Sequence, residues 1–142
     1  QLHITHHAYT YTGTDPRWIP FYNMAEQASG SVQNGCQMVV PFNGRLARVL
    51  FRPFIGTEED CRLTLFTASS GVQEIDDTGY RYAEHADVSV PAQNAQVLVW
   101  NPTGSQHFTA GMIVGITVNP LGVSGSGDVN LTCVWEFDMF NI

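Results

Sequence analysis

Five histidines are the first residues whose type could carry chemistry, and His3, His6 and His7 crowd the N-terminus while His85 and His107 lie far along the chain. Imidazole ligates metals readily, but a metal needs its ligands to converge on one point. On an extended strand His3 and His7 face one way and His6 the other. The cluster therefore predicts exposed or subunit-packing histidines and no metal; only a threefold axis gathering three copies of one histidine would change that. Glu58, Glu59 and Asp60, with Asp76 and Asp77, form short acidic runs. Calcium takes six to eight oxygens and the EF-hand spacing is absent, so these runs read as solvated loops. Cys36, Cys61 and Cys133 contain no CxxC and no zinc-like Cys/His spacing. Each lies in or beside an apolar run, which predicts buried thiols acting as small hydrophobes.

Nucleophilic templates fail as well. The segment from Gly122 to Gly127 is neither the GxSxG elbow nor a phosphate-cradling GxGxxG opening a helix, and strand-like runs flank it. Ser, His and Asp all occur without a spacing that singles out a triad, which is defined by geometry. Asn130-Leu131-Thr132 matches a glycosylation sequon inside an ordered strand pattern and reads as coincidence. The sequence thus predicts no enzyme, no catalytic residues and no cofactor. Of the aromatics, Trp100 and Trp135 sit in apolar strands and read as core. Tyr80 and Tyr82 lie in a polar stretch and are candidates for exposed recognition.

The elements that would position these groups are strands. Alternation of apolar and polar residues recurs at Leu2 to Thr12, Gln37 to Phe42, Arg45 to Phe54, Arg62 to Ala68, Asp87 to Val90, Gln96 to Trp100, Met112 to Val118 and Val129 to Phe140. Arg17 to Tyr22 adds a short aromatic run. In Arg45 to Phe54, strict alternation puts Leu46, Arg48, Leu50 and Arg52 on one face, with Arg45, Ala47, Val49 and Phe51 on the other. Asn43-Gly44 between two such runs predicts a hairpin turn. Ser69 to Asp87 reads as a polar excursion with a short strand near Tyr80 to Tyr82. The only helix candidate, Asn23 to Ala28, is too short to stand alone. About eight to ten short strands at this spacing predict one all-β domain, an antiparallel two-sheet sandwich.

The totals agree. A chain of 142 residues suffices for one core. Its charged fraction of 13% is about half that of ordinary soluble domains, leaving a surface of Thr, Ser, Asn, Gln and Gly that costs little to desolvate at an interface. Net charge is −7, from 13 acids against six bases that are all arginine. Such a balance excludes a nucleic-acid backbone or an anionic membrane as principal partner, although Arg45, Arg48 and Arg52 could together meet an anionic one. No run is apolar and long enough for a transmembrane helix, and the N-terminal segment lacks the pattern of a signal peptide.

Three stretches resemble a known family. Val40-Pro-Phe-Asn-Gly-Arg-Leu-Ala-Arg-Val-Leu-Phe-Arg, Phe108-Thr-Ala-Gly-Met-Ile-Val-Gly-Ile-Thr-Val-Asn-Pro and Asp128-Val-Asn-Leu-Thr-Cys-Val-Trp-Glu-Phe-Asp are similar to strands of a domain found in virion proteins of tailed, especially marine, bacteriophages. The match spans about Gln37 to Asp138. It implies a jelly-roll-like sandwich, usually a homotrimer, located on the virion at the capsid exterior or on a tail fibre. On that basis residues 1–30 are expected to form an N-terminal arm and residues 31–142 the sandwich. The arm's Leu2, Ile4, Tyr9, Tyr11, Trp18, Phe21 and Tyr22 would contact other copies, the major capsid protein or other virion subunits by strand addition. The expected function is a trimeric capsid decoration (cement) protein. A receptor- or glycan-binding fibre tip using Tyr80 and Tyr82 is the alternative, disfavoured because no collagen-like, heptad or β-helical repeat occurs in the chain.

Overall fold

The computed structural model describes residues 1–11, 16–21, 27–28, 36–54, 59–69, 81–90, 96–103, 107–121 and 127–140. Ten strands appear among them: β1 (Leu2–Tyr11), β2 (Arg17–Trp18), β3 (Gln27–Ala28), β4 (Met38–Val39), β5 (Asn43–Phe54), β6 (Glu59–Ala68), β7 (Arg81–Val90), β8 (Leu98–Trp100), β9 (Ile113–Pro120) and β10 (Gly127–Asp138). They form two antiparallel sheets, one ordered β1-β10-β5-β8 and the other β3-β2-β9-β6-β7, with β4 also on β9. Apart from the β6–β7 pair, β5 to β10 each follow a neighbour that lies in the opposite sheet, and the interleaved order is that of a jelly roll. The all-β, two-sheet expectation holds.

The strict alternation of β10 gives it one face on the core. Val129, Leu131, Cys133, Trp135 and Phe137 are all buried, while Asp128, Asn130, Glu136 and Asp138 face out. Facing them, Val114, Ile116 and Val118 of β9 with Leu63 and Leu65 of β6 complete the main core. Phe108 fills the end of the sandwich, its ring centre 6.0 Å from that of Trp135 and 6.1 Å from that of Phe137. These offset and edge-on contacts suit the ring quadrupoles.

A second, smaller core lies on the outer face of the six-stranded sheet. Trp18 and Cys36, both wholly buried, pack there on Phe66 and Ala68, with the Trp18 and Phe66 rings 4.8 Å apart. Gly115 makes room: a Cβ at this position would come within 2.8 Å of the Trp18 ring. β9 is therefore buried on both faces, and its apolar run carries no clean alternation for that reason.

Several expectations are corrected. Asn43-Gly44 is not a hairpin turn; both residues begin β5, which pairs with β10, while β4 pairs with β9, so the chain crosses between sheets there. Glycine is needed at position 44 because the Glu136 carbonyl oxygen occupies the space a Cβ would take. Strict alternation also fails in β5. Val134 pairs with Arg48 and Trp135 with Leu46, leaving Ala47 as the extra residue of a β-bulge. The bulge resets the phase, so Leu46, Val49 and Phe51 all enter the core. Within the expected helix, Gln27–Ala28 is strand paired to Arg17–Trp18, a backbone alternative that a one-turn helix cannot outcompete. Of the polar excursion, Arg81 to Asp87 belongs to a continuous β7; Ala86 and Val88 turn towards the core while His85 and Asp87 stay exposed, as an edge strand permits. The acidic run reaches into β6 at Glu59 and Asp60, while Glu58, Asp76 and Asp77 lie outside the described residues.

Trp18 and the cysteines give two tests. Trp18→Ala should cost about 3–5 kcal/mol in denaturant unfolding and leave the association state unchanged. A variant of native stability with altered association would instead make Trp18 a partner contact. Cys36, Cys61 and Cys133 are wholly buried thiols outside any disulfide, and burial pushes the Cys133 thiol up to about 12. A thiol-reactive dye should label none of them in native buffer and all three in denaturant.

Candidate assembly surface

The N-terminal segment is not a detached arm. Every residue of β1 has a register partner on β10, from Leu2 opposite Glu136 to Tyr11 opposite Gly127. The strand is locked down by a polar chain of four groups. The Trp135 indole N–H donates to Thr5 Oγ1 over 2.9 Å. Thr5 Oγ1 lies 2.9 Å from His7 Nε2, and His7 Nδ1 lies 2.7 Å from the Pro20 carbonyl oxygen. One tautomer satisfies all of it, with Nδ1–H donating to Pro20 and Nε2 accepting from the Thr5 hydroxyl. The edge of Phe21 closes over the imidazole at 4.6 Å. Burial, the largest effect, pulls the His7 pKa below its ordinary value, opposed by the Pro20 hydrogen bond and aided by His6.

β1 is also an edge strand. Gln1 and Phe137 exchange both backbone hydrogen bonds, at 2.8 and 2.9 Å. By the alternation of an antiparallel ladder, Leu2, Ile4, His6, Ala8 and Thr10 then point their N–H and C=O groups away from β10. Their side chains lie on the outer face of the sheet. Leu2 is 61% exposed and Ile4 53%. Edge strands are ordinarily blunted by charge, proline or a bulge, but Leu2–Tyr11 contains no Asp, Glu, Lys, Arg or Pro and pairs without irregularity. The opposite sheet ends on β7, which carries Arg81, Glu84 and Asp87.

Behind β1 the outer face continues in rows set by the register. Leu2, Glu136 and Arg45 form the first, Ile4, Val134 and Arg48 the second, His6, Thr132, Leu50 and Val99 the third, and Ala8, Asn130 and Arg52 the fourth. Arg45 Nη2 meets Glu136 Oε2 at 3.1 Å, and Arg48 Nε donates to Asn101 Oδ1 at 3.0 Å. The bulge at Ala47 is what gathers the arginines; without it Arg45 and Arg48 would project from opposite faces. Three of the six arginines thus share one face, where the outward-facing Asp128, Glu136 and Asp138 of β10 balance them.

Of the expected partner contacts among the described residues, only Leu2 and Ile4 are mainly exposed. Tyr9 is half-buried against the main core and Tyr11 lies within it. Trp18 fills the second core, and Phe21 packs 6.2 Å from Trp135. Tyr22 and Tyr80 lie outside the described residues; Tyr82 stands opposite Phe66 in the β6–β7 register. Reading the aromatics as partner contacts missed that large rings complete the chain's own core first. Leu50, Val134 and Val99 were legible only as alternating positions, since strand pairing decides which face is the outer one. Among the described residues no three His, Cys, Asp or Glu side chains gather as a metal site. No family model and no curated protein matches the chain.

The buried histidine predicts a pH dependence. Its pKa is 6.5 when unfolded and lower when folded, so between these values the unfolded state binds more protons and stability rises with pH. The His7 contribution is complete above 6.5 and declines as pH falls towards the folded value. The melting temperature should drop between pH 7.5 and 5.5, and His7→Gln should flatten that segment. An unchanged slope in the variant would show that His7 is not the titrating group.

Proposed function

We propose that this chain is a non-enzymatic structural protein of a virion that acts by assembling: a homotrimeric capsid decoration domain that stabilises a phage head from outside. The observation that carries the assembly is β1, an uncharged ten-residue edge strand with outward-directed backbone and exposed Leu2 and Ile4. Left open, such an edge is an aggregation site; covered by another copy, it is an interface. Charge is no obstacle to the same reading, because Arg45, Arg48 and Arg52 on the face behind β1 are balanced by Asp128, Glu136 and Asp138. A head-to-tail contact closes into a ring when its rotation allows, and a trimer is a small closed solution. The virion setting rests on the resemblance of Val40 to Arg52, Phe108 to Pro120 and Asp128 to Asp138. Those stretches make up much of β5, β9 and β10, so they speak to architecture, and the assembly reading rests on the edge.

Because β1 is integral to the sheet, deleting it would expose β10 and test folding instead of attachment. Point changes on the outward positions are cleaner. Ile4→Lys adds a gatekeeping charge, and Ala8→Pro removes an N–H that points away from β10. Light scattering of the unaltered chain should give three times the 15.7 kDa chain mass, and both variants should run as folded monomers with monomer stability changed by about 0.5 kcal/mol or less. An unaltered chain that stays monomeric at high micromolar concentration would overturn the assembly. Gold-labelled antibody on intact particles tests the setting: label over the head supports decoration, and label confined to the tail would replace it with a fibre tip.

A further inference from the structure

The outer face of the six-stranded sheet, on the far side of the sandwich from β1, carries a groove of about 240 Å³ lined by Pro16, Arg62, Thr64, Phe66, His85 and Thr117, with Asn119 at its end. Register arranges the lining groups and their neighbours Asp87, Gly115 and Tyr82 in three rows across β9, β6 and β7. Asn119, Arg62 and Asp87 form one, Thr117, Thr64 and His85 the next, and Gly115, Phe66 and Tyr82 the last. Polar pairs thus give way stepwise to Phe66, which is backed by Trp18.

We infer that this groove is a binding site for a neutral saccharide, taking one sugar ring. The chemistry of the lining selects that class. Arg62 and Asp87 form a two-point pair, Nε to Oδ1 at 2.7 Å and Nη2 to Oδ2 at 3.0 Å. The pair carries no net charge, so it offers little to an anion or a cation alone. It does set guanidinium donors beside carboxylate acceptors, and each carboxylate oxygen has a second lone pair. Sugar hydroxyls both donate and accept, and neighbouring hydroxyls match such alternating groups. Asn119, Thr64 and Thr117 extend the same dual character along the groove. The two threonines are 6% and 3% exposed, so they are held by packing, and the ion pair holds Arg62. Less side-chain freedom is therefore lost on binding. At the other end Phe66, 8% exposed and packed on Trp18, gives the groove an apolar floor. The volume lies below the range of about 300–1,000 Å³ typical of drug-sized sites, which favours one ring over an extended chain.

The site lies on the opposite sheet from the assembly edge, so each reading can fail without the other. The test is a backbone NMR titration of the full chain with a panel of neutral sugars: glucose, galactose, mannose and N-acetylglucosamine. At least one should bind with millimolar affinity, shifting amides at Arg62, Thr64, His85, Asp87 and Asn119 while those of β1 stay still. Asn119→Ala should weaken that sugar about tenfold, as should Asp87→Ala; both positions are exposed enough for the fold to survive, which the same spectra verify. Binding should persist from 50 to 500 mM salt, since no net charge is neutralised. No shift with any sugar, shifts confined to another surface, or affinity that collapses with salt would each overturn the proposal.

Discussion

Trp135 is wholly buried in the middle of β10, where an unpaired indole N–H would cost the fold about 1–3 kcal/mol. Thr5 meets it at 2.9 Å, Thr5 engages His7, and His7 reaches the Pro20 carbonyl. That one chain of hydrogen bonds joins the central strand, the edge strand and the segment leaving β2. It sets the register of β1 on β10 and thereby decides which side chains of β1 face solvent. The same bonds explain why a histidine is tolerated in an apolar interior: neutral, it serves as donor at one nitrogen and acceptor at the other.

Around that fixed strand, two local irregularities set the two outer faces. The extra residue Ala47 lets Leu46 and Val49 both fill the core and turns Arg45 and Arg48 to the same side. Gly115, lacking a side chain, lets Trp18 lie across β9 and support Phe66. A jelly roll by itself implies no function. Here the sheet carrying the bulge ends in an uncharged, apolar edge suited to another copy. The sheet carrying the glycine bears a neutral, hydroxyl-matched groove. A charge-poor composition serves both, because neither surface requires many charges to be stripped of water.

Much of the architecture is set by the order of residues alone. The alternation of Val129, Leu131, Cys133, Trp135 and Phe137 with polar neighbours specifies a half-buried antiparallel strand from local information. The burial of three cysteines and the two-sheet class follow from the same kind of pattern. What the sequence could not decide is which strand pairs with which, because partners come from residues tens of positions away and alternation is identical in every register. Asn43-Gly44 is a strong local turn signal, yet its glycine answers to the Glu136 carbonyl, more than ninety residues distant in the chain. The bulge leaves no local mark, since Ala47 is unremarkable until β10 lies beside it. Tyr11 and Trp18 look like surface aromatics until the opposing sheet and Gly115 create space for them. Composition and periodicity therefore determined strand content and the core face of β10, which are local. Pairing, and with it the edge strand and both outer faces, was decided only by the tertiary structure, where each chemical group acquires its neighbours.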